Sequence, residues 1–131
     1  LQKDFCAKDL HFENGFVISD FGSDFDKSHG AFMDTAAIMK NLDLVITIDT
    51  SIAHLAGALA VKTWLMLNFK RPWLWQWDKT RTDTPWYPTA RLFRQPKPGD
   101  WESVIKEVKK ELEKMVEAKT KKDKHNKDHE K

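Results

Sequence analysis

Leu44-Val45-Ile46-Thr47-Ile48 constrains the fold of this chain more than any other stretch. It is a β-branched run with few polar positions, the pattern of a strand covered on both faces, as in a parallel sheet. Asp49-Thr50-Ser51 follows at once and supplies N-cap residues for a helix over Ile52 to Leu59, whose Ala53, Ala56, Gly57 and Ala58 permit close packing on a sheet. Val61 to Leu67 reads as the next strand. Strand, helix and strand in such quick succession form a βαβ unit, for which a right-handed crossover is expected. With 131 residues, 40% of them hydrophobic and 32% charged, the chain has material for one α/β domain and none for a two-domain enzyme.

Further elements extend this unit on both sides. Gly15 to Ser19 is a short strand candidate between loops, and Asp34-Thr35 is an N-cap pair for a helix from Thr35 to about Asn41. After Leu67 comes a long aromatic and basic loop, Phe69 to Tyr87, with Trp73, Trp75, Trp77 and Trp86 among Lys70, Arg71, Lys79 and Arg81, and with Pro72 and Pro85 limiting regular structure. Ala90 to Arg94 is a last strand candidate. Asp100 then caps a helix with an apolar stripe at Trp101, Val104, Ile105, Val108, Leu112 and Met115. From Lys119 the apolar residues all but vanish, so residues 1–118 are expected to form the domain and 119–131 a charged tail, disordered or a frayed helical extension. The chain begins without Met, inside what reads as a motif, and is expected to be a piece of something longer.

Charge and composition exclude several classes. A formal net charge of +2 gives no strong field for holding nucleic acid. The single cysteine, Cys6, excludes an internal disulfide framework or a Cys-rich zinc module. No apolar run of roughly eighteen residues offers a membrane span and no signal peptide opens the chain, so a cytoplasmic location is expected. The glycine fingerprint of dinucleotide folds, the P-loop and the His-Glu-x-x-His zinc motif are absent. The acidic loop of Asp20, Asp24, Asp26 and His29 matches no calcium spacing and reads as a solvated turn. His125 and His129, four apart, read as part of a solvated tail.

Asp49-Thr50-Ser51-Ile52-Ala53-His54 lies where the buried strand ends and the helix begins, the place where open α/β sheets bind ligands. Unpaired backbone N–H groups and the positive helix end favour an anion such as phosphate there, and the Thr50 and Ser51 hydroxyls add donors. His54, three residues past Ser51, shares their helical face. The Asp49 carboxylate would repel a phosphate, so it is expected to cap backbone N–H groups or to bind a sugar hydroxyl. The plain alternative is a helix cap with a half-buried histidine. A Ser-His-Asp triad does not fit residues so close in sequence. In the aromatic loop, Trp73 and its neighbours either stack a base or sugar ring or bury one face of an extended segment.

These residues suggest a family. DTAAIMKNLDLVITIDTSIAHLAGAL, followed by WLML and TDTPWYPTARLFRQPKPGDWESVIKEV, resembles the C-terminal domain of glycosyltransferase family nine, which includes the ADP-heptose:lipopolysaccharide heptosyltransferases, and the transferase-like domains behind tetratricopeptide repeats in bacteria. The similarity runs from Leu1 to about Leu112. It implies the C-terminal half of a GT-B fold, a Rossmann-like three-layer αβα domain with a mostly parallel sheet, truncated at its N-terminus. By that resemblance the chain binds the nucleotide-sugar donor of a hexosyl- or heptosyltransferase of cell-envelope polysaccharide, with no essential metal and no cofactor. Transfer to an acceptor hydroxyl then needs an N-terminal acceptor domain.

The resemblance assigns Asp49, Thr50, Ser51 and His54 to the donor diphosphate, and it makes Gln2, Lys3, Asp34 and Thr35 possible donor contacts, although Asp34-Thr35 also reads as a simple cap. Ser51 stands where heptosyltransferases often carry Gly, and matches the repeat-linked group. Asn68, Lys70 and Arg71 stand where the family tends to Pro and an acidic residue. A different class of function remains open, a degenerate, non-catalytic interaction module of the same fold.

Overall fold

The computed structural model describes residues 21–22, 24–28, 30–70, 73–75 and 80–129, and only the backbone of Trp73 and of 123–129. Gln2, Lys3, Cys6, the Gly15 to Ser19 strand candidate, Asp20, His29, Arg71, Trp77 and Lys79 lie outside these residues. The elements are α1 (Met33–Met39), β1 (Val45–Ile48), α2 (Ser51–Ala58), β2 (Thr63–Leu67), a 3-10 turn (Trp73–Trp75), β3 (Ala90–Arg94) and α3 (Trp101–His129).

The strands form one parallel sheet in the order β1-β2-β3, with Ile46 beside Trp64 and Leu65 beside Leu92. Strand alternation sends successive side chains to opposite faces. On one face Leu65, Leu67 and Leu92 pack with Ala53 of α2 and with Trp75, while Val45 joins Met39 of α1 and Ala56 of α2. On the other, Trp64 and Phe93 meet Val104 and Val108 of α3, with Leu44, Met66, Leu112 and Met115 at the margin. Helix, sheet and helix make three layers, the α/β architecture expected from the β-branched run, but that run is not covered on both faces as expected: Val45 is buried on the α2 side while Ile46 and Ile48 are exposed on the other.

The sheet's two edges differ. Along β3, the Leu92 amide donates to Thr82 O at 2.6 Å, so the end of the aromatic loop runs beside the strand. Along β1, Ile46 and Ile48 sit on the α3 face and are 39% and 50% exposed, because α3 lies over β2 and β3 and does not reach them.

One cap departs from expectation. Helix α1 starts earlier than Thr35, with Phe32 as its N-cap in the left-handed region at φ 65° and with no side-chain cap bond. Asp34 and Thr35 fall in its first turn, where the Thr35 amide donates to Asp26 Oδ1 at 3.1 Å and the Thr35 hydroxyl donates to Asp26 Oδ2. A carboxylate from a turn nine residues upstream thus does the work that local spacing assigned to the Asp34-Thr35 pair. Helix α3 begins as expected: Asp100 accepts from the Ser103 amide at 3.1 Å and from its hydroxyl at 2.9 Å, and these bonds, the amide first, hold its carboxyl below the usual range. Toward its far end the helix runs on past Lys119 to His129, the helical one of the two readings of the tail. Lys119, at the start of this extension, pairs with Asp43 at 2.8 Å.

Candidate functional site

The site at the end of β1 is assembled from α2, the 3-10 turn and the segment before β3. Thr50 is the N-cap of α2, in extended conformation at φ −143° and ψ 175°. Its side chain makes no cap hydrogen bond. The Thr50 hydroxyl instead turns back to Ile48 O at 3.5 Å, a marginal bond, and the Ala53 amide closes a tight first turn on Thr50 O at 3.0 Å. The Ser51 and Ile52 amides are then the donors that the helix leaves without an internal partner. The half-buried Asp49 carboxylate and the Ser51 hydroxyl make no hydrogen bond among the described residues, so the capping role expected of Asp49 is not taken up. Three cap-forming residue types in a row, none of them capping, leave the positive end of α2 open to an acceptor from outside the helix.

One turn along, His54 is half-buried and fixed on two sides. Its Nδ1 lies 2.9 Å from the Tyr87 hydroxyl, and its ring stacks on Trp75 with centroids 5.6 Å apart and planes 26° from parallel. Tyr87 meets the His54 ring edge-on at 5.8 Å and Trp75 at 6.3 Å. The three rings form a closed group at the head of α2, rooted in the core through Trp75, which is 1% exposed. Among the described residues the buried Trp75 indole N–H has no hydrogen-bond partner, a costly state for a donor.

Two residues to which the sequence assigns no part in the site, Gly57, expected only to pack on the sheet, and Arg94, make this group possible. A Cβ on Gly57 would sit 2.4 Å from the Tyr87 ring, so only glycine lets the phenol lie along α2 with its hydroxyl one turn back at His54. A glycine inside a helix costs about 1 kcal/mol against alanine, and that cost was the available signal of a close approach. The second residue is Arg94, at the end of β3. It donates from Nη1 to Trp75 O at 2.7 Å, and from Nε and Nη2 to Arg81 O at 3.2 and 3.1 Å, tying both limbs of the aromatic loop to the sheet. Gln95, buried beside it, accepts from the Phe69 amide at 3.0 Å and from the Gly99 amide at 3.3 Å.

The remaining candidates are not part of this group. Thr35 is buried and bonded to Asp26, and the Asp34 carboxylate accepts from the Asp26 amide at 2.9 Å, both at the head of α1. Trp73 begins the 3-10 turn, and its side chain lies outside the described residues. Trp86 is half exposed. Arg81 is engaged with Asp83 through Nε at 2.7 Å, a bond that lowers the Asp83 carboxyl below its ordinary range. Among the described residues no three His, Cys, Asp or Glu side chains gather as a metal ligand set, and no helix is long and apolar enough to cross a membrane.

Comparisons with family models, with curated proteins and with solved structures found no match to this chain. What can be said of the site therefore comes from its geometry: an uncapped helix end at the carboxyl edge of a parallel strand, flanked by an imidazole that two aromatic side chains hold in place.

Proposed function

We propose that this chain binds a nucleoside-diphosphate sugar and is the donor-binding part of a glycosyltransferase of the family-nine type, transferring its sugar to an acceptor hydroxyl only together with an acceptor domain. The observation that carries the proposal is the uncapped N-terminus of α2, with His54 held beside it by Tyr87 and Trp75. The diphosphate accepts from the first-turn amides and from the Thr50 and Ser51 hydroxyls. Asp49, whose carboxylate has no hydrogen-bond partner among the described residues, takes a sugar hydroxyl. During transfer, negative charge grows on the leaving nucleoside diphosphate, and donors already in place at the helix end stabilise it without reorganising. The wider setting follows from the sequence resemblance: a bacterial enzyme working in the cytoplasm on cell-envelope saccharides, with Gln2, Lys3 and Trp73 as further donor contacts.

Thermal shift of the purified chain against ADP-, UDP-, GDP- and CDP-sugars tests the proposal. A ligand at a hundred times its dissociation constant adds about 2.7 kcal/mol of stability. The expected result is a raised midpoint for one nucleotide class, lost in His54→Ala. No shift for any of the four, in a chain shown to be folded, would favour the second reading, a non-catalytic interaction module. The exposed Ile46 and Ile48 on the β1 edge are the observation on that side.

A further inference from the structure

We infer that Tyr87 is the positioning residue of the site: its hydroxyl donates to His54 Nδ1 and so keeps the ring proton on Nε2, presenting an Nε2–H donor to ligand groups that accept, such as phosphoryl oxygens. The inference rests on the donor-diphosphate reading for the identity of the ligand, and on geometry alone for the tautomer.

The hydroxyl and Nδ1 are 2.9 Å apart, and among the described residues neither atom has another hydrogen-bond partner. One of them must donate. A phenol is the more acidic O–H or N–H of the two, and the bare imidazole nitrogen is a stronger acceptor than a phenolic oxygen, so the proton in the bond belongs to Tyr87. In a neutral imidazole with an acceptor Nδ1, the ring proton is on Nε2. The opposite tautomer would present an Nε2 lone pair, which an oxyanion repels.

The phenol has little freedom to move. Gly57 admits its ring against α2 where any Cβ would stand 2.4 Å away, and the edge-on contact with His54 and the tilted contact with Trp75 limit the ring on two further sides. His54 in turn is stacked on Trp75, so it cannot rotate off the hydroxyl without leaving that face.

The test is the nitrogen-15 spectrum of the imidazoles in the whole chain, recorded where histidine is neutral, with the His54 signals identified by their loss in His54→Gln. The expected wild-type result is a single tautomer with the proton on Nε2, and a mixture of both tautomers in Tyr87→Phe, which removes one oxygen and keeps the ring. Gly57→Ala, which displaces the phenol without deleting it, is expected to give the same mixture. A proton on Nδ1 in the wild type, or an identical His54 spectrum in Tyr87→Phe, would overturn the inference. Titration with inorganic pyrophosphate then separates the two readings. Tyr87→Phe is expected to weaken it roughly two- to tenfold, the size of one ordinary hydrogen bond. A fixed Nε2 proton in a chain that binds neither pyrophosphate nor any nucleotide sugar would sink the diphosphate reading and leave the tautomer assignment standing.

Discussion

The two faces of the sheet both bury tryptophan, in opposite ways. Under α3, Trp64 and Phe93 lie 5.3 Å apart among Val104, Val108, Met66 and Leu112, apolar neighbours that demand little beyond volume. Under α2 and the aromatic loop, Trp75 lies against a histidine and a tyrosine, its N–H has no partner among the described residues, and the surrounding segment is held by bonds from Arg94. The first face is built as a core. The second gives up some of that economy to hold polar groups in fixed positions, and such local inconsistency is where functional sites are expected.

Phe93→Ala is the largest disturbance of the first face. Emptying a fully buried phenylalanine site costs about 3–5 kcal/mol, the lost transfer energy plus a cavity. Urea unfolding should show a loss of this size with an unchanged slope, while the His54 tautomer of the still-folded protein stays as in the wild type. A changed tautomer at low denaturant would mean that the two faces are coupled through the sheet and that the contrast drawn between them is wrong.

Arg94→Ala strikes the second face with a smaller effect. It removes charge-assisted bonds to the Trp75 and Arg81 carbonyls, worth roughly 1.5–3 kcal/mol where the acceptors are left unsatisfied. Because these bonds tie loop to sheet, hydrogen exchange should quicken in residues 73–75 and 80–84 and remain unaltered in α3. Exchange that quickens equally across both faces would show that the loop unfolds only with the whole domain.

The same contrast explains what the sequence made legible. β1, β2 and the Val104, Val108, Leu112 and Met115 part of the α3 stripe could be read because each is specified by the spacing of neighbouring residues, whereas Trp101 and Ile105, counted in the same stripe, are exposed; β3 is bounded as expected at Ala90–Arg94. At the site, spacing found Asp49, Thr50, Ser51 and His54 but not what holds them. Tyr87 is 33 residues from His54 and Arg94 is 19 from Trp75, separations at which no local pattern exists. The head of α1 was misread for the same reason, since Asp26 caps it from a turn where its own φ is 60°. Asp49-Thr50-Ser51 has the composition of a cap, and only three-dimensional geometry reveals that its side chains are turned elsewhere.

The smallest expected effect lies on the outer surface of the first face, and it sharpens the contrast through pH. Glu111 of α3 accepts from Lys114 Nζ at 2.6 Å and from Arg91 Nη1 at 2.7 Å, and these two bonds, Lys114 first, lower its carboxyl from 4.5 to about 2. A carboxyl whose folded value is depressed contributes stability in full above its unfolded value, and loses that contribution as pH falls toward the folded one. Wild type should therefore exceed Glu111→Gln in melting temperature at neutral pH. The gap should narrow from about pH 4.5 downward and close near pH 2, and solvent screening through the exposed Lys114 and half-exposed Arg91 keeps it small throughout. Both proteins should keep the same pyrophosphate affinity at neutral pH, because Glu111 and its partners stand on the face away from His54. A gap that persists unchanged to pH 2 would remove the ion pairs as its cause and leave only the packing of the Glu111 stem against the helix.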